Sequence, residues 1–209
     1  MTFDKEFKEA IAHLPDKEKD KLILRLLKKD LMLANRLHFE LVNTSSVEQQ
    51  RQEMETRVIK RARQISERFY SIGYLNMDVR YLSGEITEHV KITKDKFGEV
   101  SLNLLLLEEI VKLNRDNILK LTPAKSRKFC VAIIARIFKV MLLINKLHDD
   151  YMLEFEDQLK ELGKLMGNND YLMRAAIYNG LDVNWLLNAE IPENINEIHK
   201  DLRSKGYLK

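Results

Sequence analysis

Two adjacent apolar segments dominate the pattern of the chain, Ser101 to Leu121 and Phe129 to Leu147, with Thr122-Pro123-Ala124 between them. Each is too long for a strand, each carries only a few charges, and a proline stands in the only gap, so they predict a long, very apolar helical hairpin at the centre of the fold. The flanking sequence keeps helical spacing. Phe3, Phe7, Ile11 and Leu14 share one face; Pro15-Asp16 opens a second helix with Leu22, Ile23, Leu26 and Leu27; a third runs from Leu31 to Val42. Asn43-Thr44-Ser45-Ser46 is a capping cluster for a long fourth helix whose stripe is Val47, Met54, Val58, Ala62, Ile65, Phe69 and Ile72, with Gly73 as its expected end.

Beyond Gly73 the pattern divides. Ser83 caps a predicted helix through Glu85 and Val90 towards Asp95, with Gly98 in the following turn. Over residues 88–104, however, Val90, Ile92, Val100, Leu102 and Leu104 also alternate about Lys94-Asp95-Lys96-Phe97-Gly98, as a hairpin of strands would; helix is the preferred reading. After the apolar pair come a helix from Asp150 to Met166, a Gly167-Asn168-Asn169 break, and shorter helices near Tyr171 to Tyr178, Val183 to Leu187 and Glu193 to Arg203. The fold class is therefore all-α, a multi-helix bundle. It is read as a single domain over 1–209 whose one soft division lies near 122–124.

Composition changes little in that picture. With 209 residues and 45% hydrophobic content the chain can bury a sizeable core without metal or disulfide. The lone Cys130 sits in an apolar run and reads as an inert thiol, and with no apolar leader at Met1-Thr2-Phe3 the expected location is cytoplasmic. Arg136 and Lys139 interrupt the most apolar stretch before a membrane span accumulates, so no membrane partner is expected. Net charge is only +3, too small to select a polyanionic partner. Phosphate-loop, dinucleotide-fold, zinc-protease, serine-hydrolase and CxxC signatures are absent.

Four constellations carry potential chemistry. Glu85 and His89 stand one turn apart, able to ligate a metal or act as an acid/base pair, or to form a buried hydrogen-bonded pair. Arg136 lies among apolar residues; a hairpin folded about Pro123 would set Glu108 and Glu109 opposite it, as an ion pair or as the edge of an anion pocket. Two basic stripes follow, Arg57, Arg61 and Arg68 on the fourth helix and Lys125, Lys128, Arg136, Lys139 and Lys146 beyond Pro123; with Tyr70, Tyr74 and Tyr81 near the first, they offer contacts to nucleic acid or another anion. Last comes an acidic ridge, Asp150, Glu154, Asp157 and Glu161, on a face opposite the apolar one.

Two short motifs, Glu85-x-x-Glu88 and Glu154-x-x-Asp157, resemble those of the all-α nucleoside-triphosphate pyrophosphohydrolases. That likeness implies magnesium held by Glu85, Glu88, Glu154 and Asp157; the two motifs here are separated by the whole apolar pair, unlike the family's neighbouring helices. Apart from the likeness, Glu85, His89, Glu109 and Arg136 are the catalytic candidates if they converge on one solvent-reachable pocket. The segments Leu14-Pro15-Asp16-Lys17-Glu18-Lys19-Asp20-Lys21-Leu22-Ile23 and Gly84-Glu85-Ile86-Thr87-Glu88-His89-Val90-Lys91 are similar to a group of small all-helical bacterial proteins, which implies the fold and no chemistry. The expected function is a non-enzymatic helical interaction or scaffold protein with a protein partner or a second copy of itself, and no cofactor. The alternatives are a magnesium-dependent nucleotide (NTP or dUTP) pyrophosphohydrolase and a nucleic-acid-binding helical module.

Overall fold

The computed structural model describes residues 2–209, and of Asp149 the backbone alone. Among the described residues there are twelve α-helices and no strand. By its contacts the chain separates into two compact units, residues 1–44 and 45–209, so the Thr122-Pro123-Ala124 break lies inside the second unit.

The first unit holds α1 (Lys5–Ala12), α2 (Asp16–Leu27) and α3 (Leu31–Val42). Their ends follow from the sequence: the Asp4 carboxylate accepts from the Phe7 amide, Pro15 precedes the first turn of α2, and Asp30 accepts from the Leu33 amide. None of the three helices has a buried residue.

The second unit begins with α4 (Val47–Glu67), closed at its start by a capping box in which Ser46 and Gln49 exchange hydrogen bonds. There follow α5 (Ile72–Thr93), α6 (Lys96–Leu113), α7 (Arg115–Leu119), α8 (Pro123–Ile144), two 3-10 turns, α9 (Glu156–Gly167), α10 (Asp170–Tyr178), α11 (Asn184–Leu187) and α12 (Ile195–Ser204). Helix α6 is the centre: it packs on α4, α5, α8 and α9, and ten of its residues are buried. Helix α8 buries eleven more, Ile133, Ile134, Ile137 and Phe138 among them. No helix among the described residues is long and apolar enough to cross a membrane.

Several boundaries differ from expectation, each for a local reason. Gly73 does not end the fourth helix: α4 stops at Glu67, and Ser71 caps α5 by accepting from the Tyr74 amide. Its stripe appeared to continue because Phe69 and Ile72, on either side of the turn, both pack against the same core. Ser83 caps nothing; it is buried within α5, where Leu75, Val79, Leu82 and Ile86 hold the helix together and its carbonyl accepts from the Thr87 hydroxyl. Residues 88–104 are helical apart from a turn in which Lys94 takes a left-handed conformation, φ 61°, and Asp95 caps α6. The first apolar segment thus enters its helix at Lys96, and its far end breaks at the buried Asn114 into α6 and α7.

The stretch predicted as one helix from Asp150 to Met166 is also divided. Its first part forms the 3-10 turns Asp149–Tyr151 and Leu153–Phe155, and only from Glu156 is it α-helical. The acidic positions Asp150, Glu154, Asp157 and Glu161 therefore do not share one continuous helix. The shorter elements α10 to α12 lie within a residue or two of their predicted spans, and Gly206, φ 89°, follows the last.

Candidate functional site

The most completely built polar cluster lies where α4 meets the α5–α6 turn. The Arg51 guanidinium donates through Nε to Asp95 Oδ2 at 2.6 Å and through Nη2 to Oδ1 at 3.2 Å. It also lies 4.5 Å from the Phe97 ring centroid. Asp95 simultaneously accepts from the Gly98 amide at 2.8 Å, so one buried carboxylate caps α6 and ties it to α4. A Cβ at Gly98 would run into that carboxylate and stand 3.1 Å from Arg51 Nε, which fits glycine at this position. An open groove of about 640 Å³ adjoins the pair, with Glu48, Thr93, Tyr151 and Glu154 on its walls.

His89 belongs to this neighbourhood rather than to Glu85. Its Nε2 is buried without a hydrogen-bond partner, and burial, more than Asp95 raises it, holds the imidazole below its usual range; Arg51 lowers it further. Glu85, half-buried, has Arg57 Nε 3.9 Å from its Oε2. The two residues do not form the pair their spacing suggested.

The expected apposition of Glu108 and Glu109 with Arg136 is also absent. Glu108 is half-buried on the side of α6 that meets α9, with a buried, unpartnered Oε1; burial, then Glu161 and Glu109, push its carboxyl up to about 7 against the lowering by Lys112. Arg136 has a buried, unpartnered Nε, and the charged group that perturbs it is Arg80 on α5, a like charge, in addition to the burial that lowers it. The reason is geometric: α6 turns its Glu108 face to α9, so folding back about Pro123 does not align residues equidistant from the turn. Arg136 instead opens on a groove of about 510 Å³, whose other polar walls are Asn76, Lys128, Lys139 and Lys209.

The remaining candidates do not converge. Glu88, Glu154 and Asp157 are exposed, Glu85 is engaged by Arg57, and among the described residues no three His, Cys, Asp or Glu side chains gather as a metal site. Arg57 and Arg61 are exposed along α4 and Arg68 just past its end, and Tyr70, Tyr74 and Tyr81 are exposed as well, Tyr70 and Tyr74 edge to face at 5.3 Å. Cys130 is buried and free, its thiol pushed up to about 11 by burial.

Sequence reasoning missed the Arg51–Asp95 lock. Asp95 before Lys96-Phe97-Gly98 has the form of a helix cap and could have been found, but nothing in the sequence joins it to an arginine 44 positions earlier. Comparison with known proteins finds no match: no family model, no curated protein and no solved structure. The site must therefore be read from its own residues.

Proposed function

We propose that the chain is a helical interaction protein that assembles with a second copy of itself through its amino-terminal helices. The observation that supports this reading is the apolar surface of α1 to α3. Phe3, Phe7, Leu24, Leu26, Leu31 and Leu41 are 58%, 47%, 61%, 53%, 72% and 79% exposed, and no residue of the three helices is buried. A unit of this length sits at the lower limit of what can enclose a core alone, and this many large apolar side chains left exposed in it favour a surface that is covered in an assembly. Charges beside it alternate in sign, as in Lys5 with Glu9, Lys21 with Glu18 and Arg36 with Glu40. A second copy meets such a rim without a like-charge penalty.

Light scattering on the full chain tests this. The measured mass should rise above the 24.6 kDa of one chain as concentration increases. Leu24→Glu with Leu31→Glu should hold the protein at that mass while leaving the melting of residues 45–209 in place. A chain that stays at one copy over about a hundredfold range of concentration, with amides of residues 5–42 protected from exchange, would show that the apolar faces are covered within the same molecule and overturn the proposal.

A further inference from the structure

We infer that the groove lined by α5, α8 and the carboxy-terminal residues binds a phosphate group, with Arg136 as its anchor and Lys139 and Arg80 as flanking cations. The sequence supplies the charge. Across its 22 residues α8 carries Lys125, Arg127, Lys128, Arg136 and Lys139 and no Asp or Glu, so none of these cations finds an intrahelical partner. Lys128, Ala132, Ala135 and Lys139 follow one another along one wall of the groove, and Arg136 lies beside them one turn from Lys139. From α5 comes Asn76, a donor and acceptor in the wall, and one turn further along the same helix Arg80, close enough to lower the affinity of Arg136 for its own proton.

The far wall is held in place. Leu208, which lines the groove with Lys209, donates its amide to Asn179 Oδ1 at 2.9 Å, and its carbonyl accepts from Arg203 Nη1 at 3.0 Å. None of the side chains lining the groove is acidic.

The energetics ask for an anion. Arg136 Nε is removed from solvent without a hydrogen bond, and among the described residues the charged side chain that acts on it is Arg80 rather than a carboxylate. A guanidinium left in this state is costly, and buried polar groups without partners are rare enough in folded proteins to need a cause. A planar guanidinium with a second cation one turn away suits the oxygens of a phosphate, to which it can donate two parallel hydrogen bonds. Several cations with no acid among them favour a doubly charged group over a carboxylate. The volume, about 510 Å³, falls in the range of small-ligand sites, and Val131, Ala132 and Ala135 give the groove an apolar floor for the remainder of a phosphate ester. No aromatic side chain lines it for stacking bases, so a single phosphate group is favoured over a polynucleotide. The site lies wholly within residues 45–209 and does not depend on self-association.

Calorimetric titration of the full chain with inorganic phosphate and with pyrophosphate, at fixed ionic strength and above pH ~7 where phosphate is mostly doubly charged, tests the assignment. Saturable binding at one site per chain is expected. Arg136→Gln should weaken it about tenfold or more, Lys139→Gln and Arg80→Gln severalfold each, and Arg61→Gln on α4 not at all. Lys139 lines the groove and Arg80 stands near enough to Arg136 for its charge to act on it, so their variants keep the test decisive if Arg136→Gln does not fold. Heat no greater than that from chloride at equal ionic strength, or equal binding by wild type and all three groove variants, would overturn the proposal. So would a labelled single-stranded oligonucleotide that binds more tightly than pyrophosphate and loses as much on Arg61→Gln as on Arg136→Gln, because the cations would then form part of a nucleic-acid face.

Discussion

Replacing Glu108 by Gln probes the electrostatics at the α6–α9 contact. Burial, then Glu161 and Glu109, carry the Glu108 carboxyl from 4.5 to about 7, with Lys112 acting the other way. A raised folded pKa means that the native state holds this proton more tightly than the unfolded chain does. The associated stability is fully present below 4.5 and is lost as pH rises through about 7. A fully enclosed carboxyl shifted this far would lose about 3 kcal/mol at about 1.4 kcal/mol per pKa unit; Glu108 is partly exposed, and solvent screening brings the loss above pH 7 down to about 1 to 2 kcal/mol. Gln keeps the shape and the polar atoms without the charge, so Glu108→Gln should resemble wild type at about pH 5 and exceed it by about 1 to 2 kcal/mol at about pH 8. His89 and His199 titrate in the opposite sense: both imidazoles are lowered chiefly by burial, so their share of stability is lost as pH falls below 6.5. Those contributions are common to both proteins and cancel in the difference. Urea titrations of wild type and variant across this pH range read that difference directly. Two parallel curves, or a variant less stable than wild type at the alkaline end, would refute the placement of Glu108 as a buried acid beside Glu161 and Glu109.

Two further outcomes follow from packing in the second unit. Leu106 and Ile134 are 1% and 0% exposed, so Leu106→Ala and Ile134→Ala should each cost about 2 to 5 kcal/mol in denaturant titration, and a loss below about 0.5 kcal/mol at both would remove α6 and α8 from the core. Arg51→Ala leaves the Asp95 carboxylate, its side chain 5% exposed, with only the Gly98 amide, and should cost about 3 to 5 kcal/mol in the same measurement; a near-neutral result would mean that α4 and α6 are not joined by this pair.

What could be read from the sequence was set by local chemistry. The capping cluster ending at Ser46 and Pro15 ahead of Asp16 are end signals whose chemistry lies within one turn, and they place the starts of α4 and α2, whereas Pro123, read as a gap, is the first residue of α8. Ser83 and Gly73 show the converse. Both carry the residue type of a helix end, yet the apolar side of α5 runs unbroken from Leu75 to Ile86, and packing overrides the weak local preference. The candidate sites fared differently because each relied on a partner chosen by spacing. Glu85 and His89 are one turn apart, but Glu85 meets Arg57 while His89 lies by the Arg51–Asp95 pair on other elements. The rotation of α6 about its own axis decides whether Glu108 meets Arg136 or Glu161, and ten buried residues distributed around that helix leave no polar stripe from which to read it.

Three buried groups without partners, His89, Glu108 and Arg136, bear differently on function because they differ in how they can lose their charge. Glu108 can take a proton near neutral pH, and its raised pKa records that escape. His89 can lose one, and its lowered pKa records the same. Arginine has no such route: even with its proton affinity reduced by burial and by Arg80, a guanidinium stays charged at any physiological pH. Its charge must be met by an opposite one, and neither Glu108 nor Glu109 supplies it. The first two groups are thus compatible with a closed structural core, whereas Arg136, at the wall of an open groove between cations, has a buried Nε that finds no acceptor among the described residues, and an anion in the groove would meet its charge.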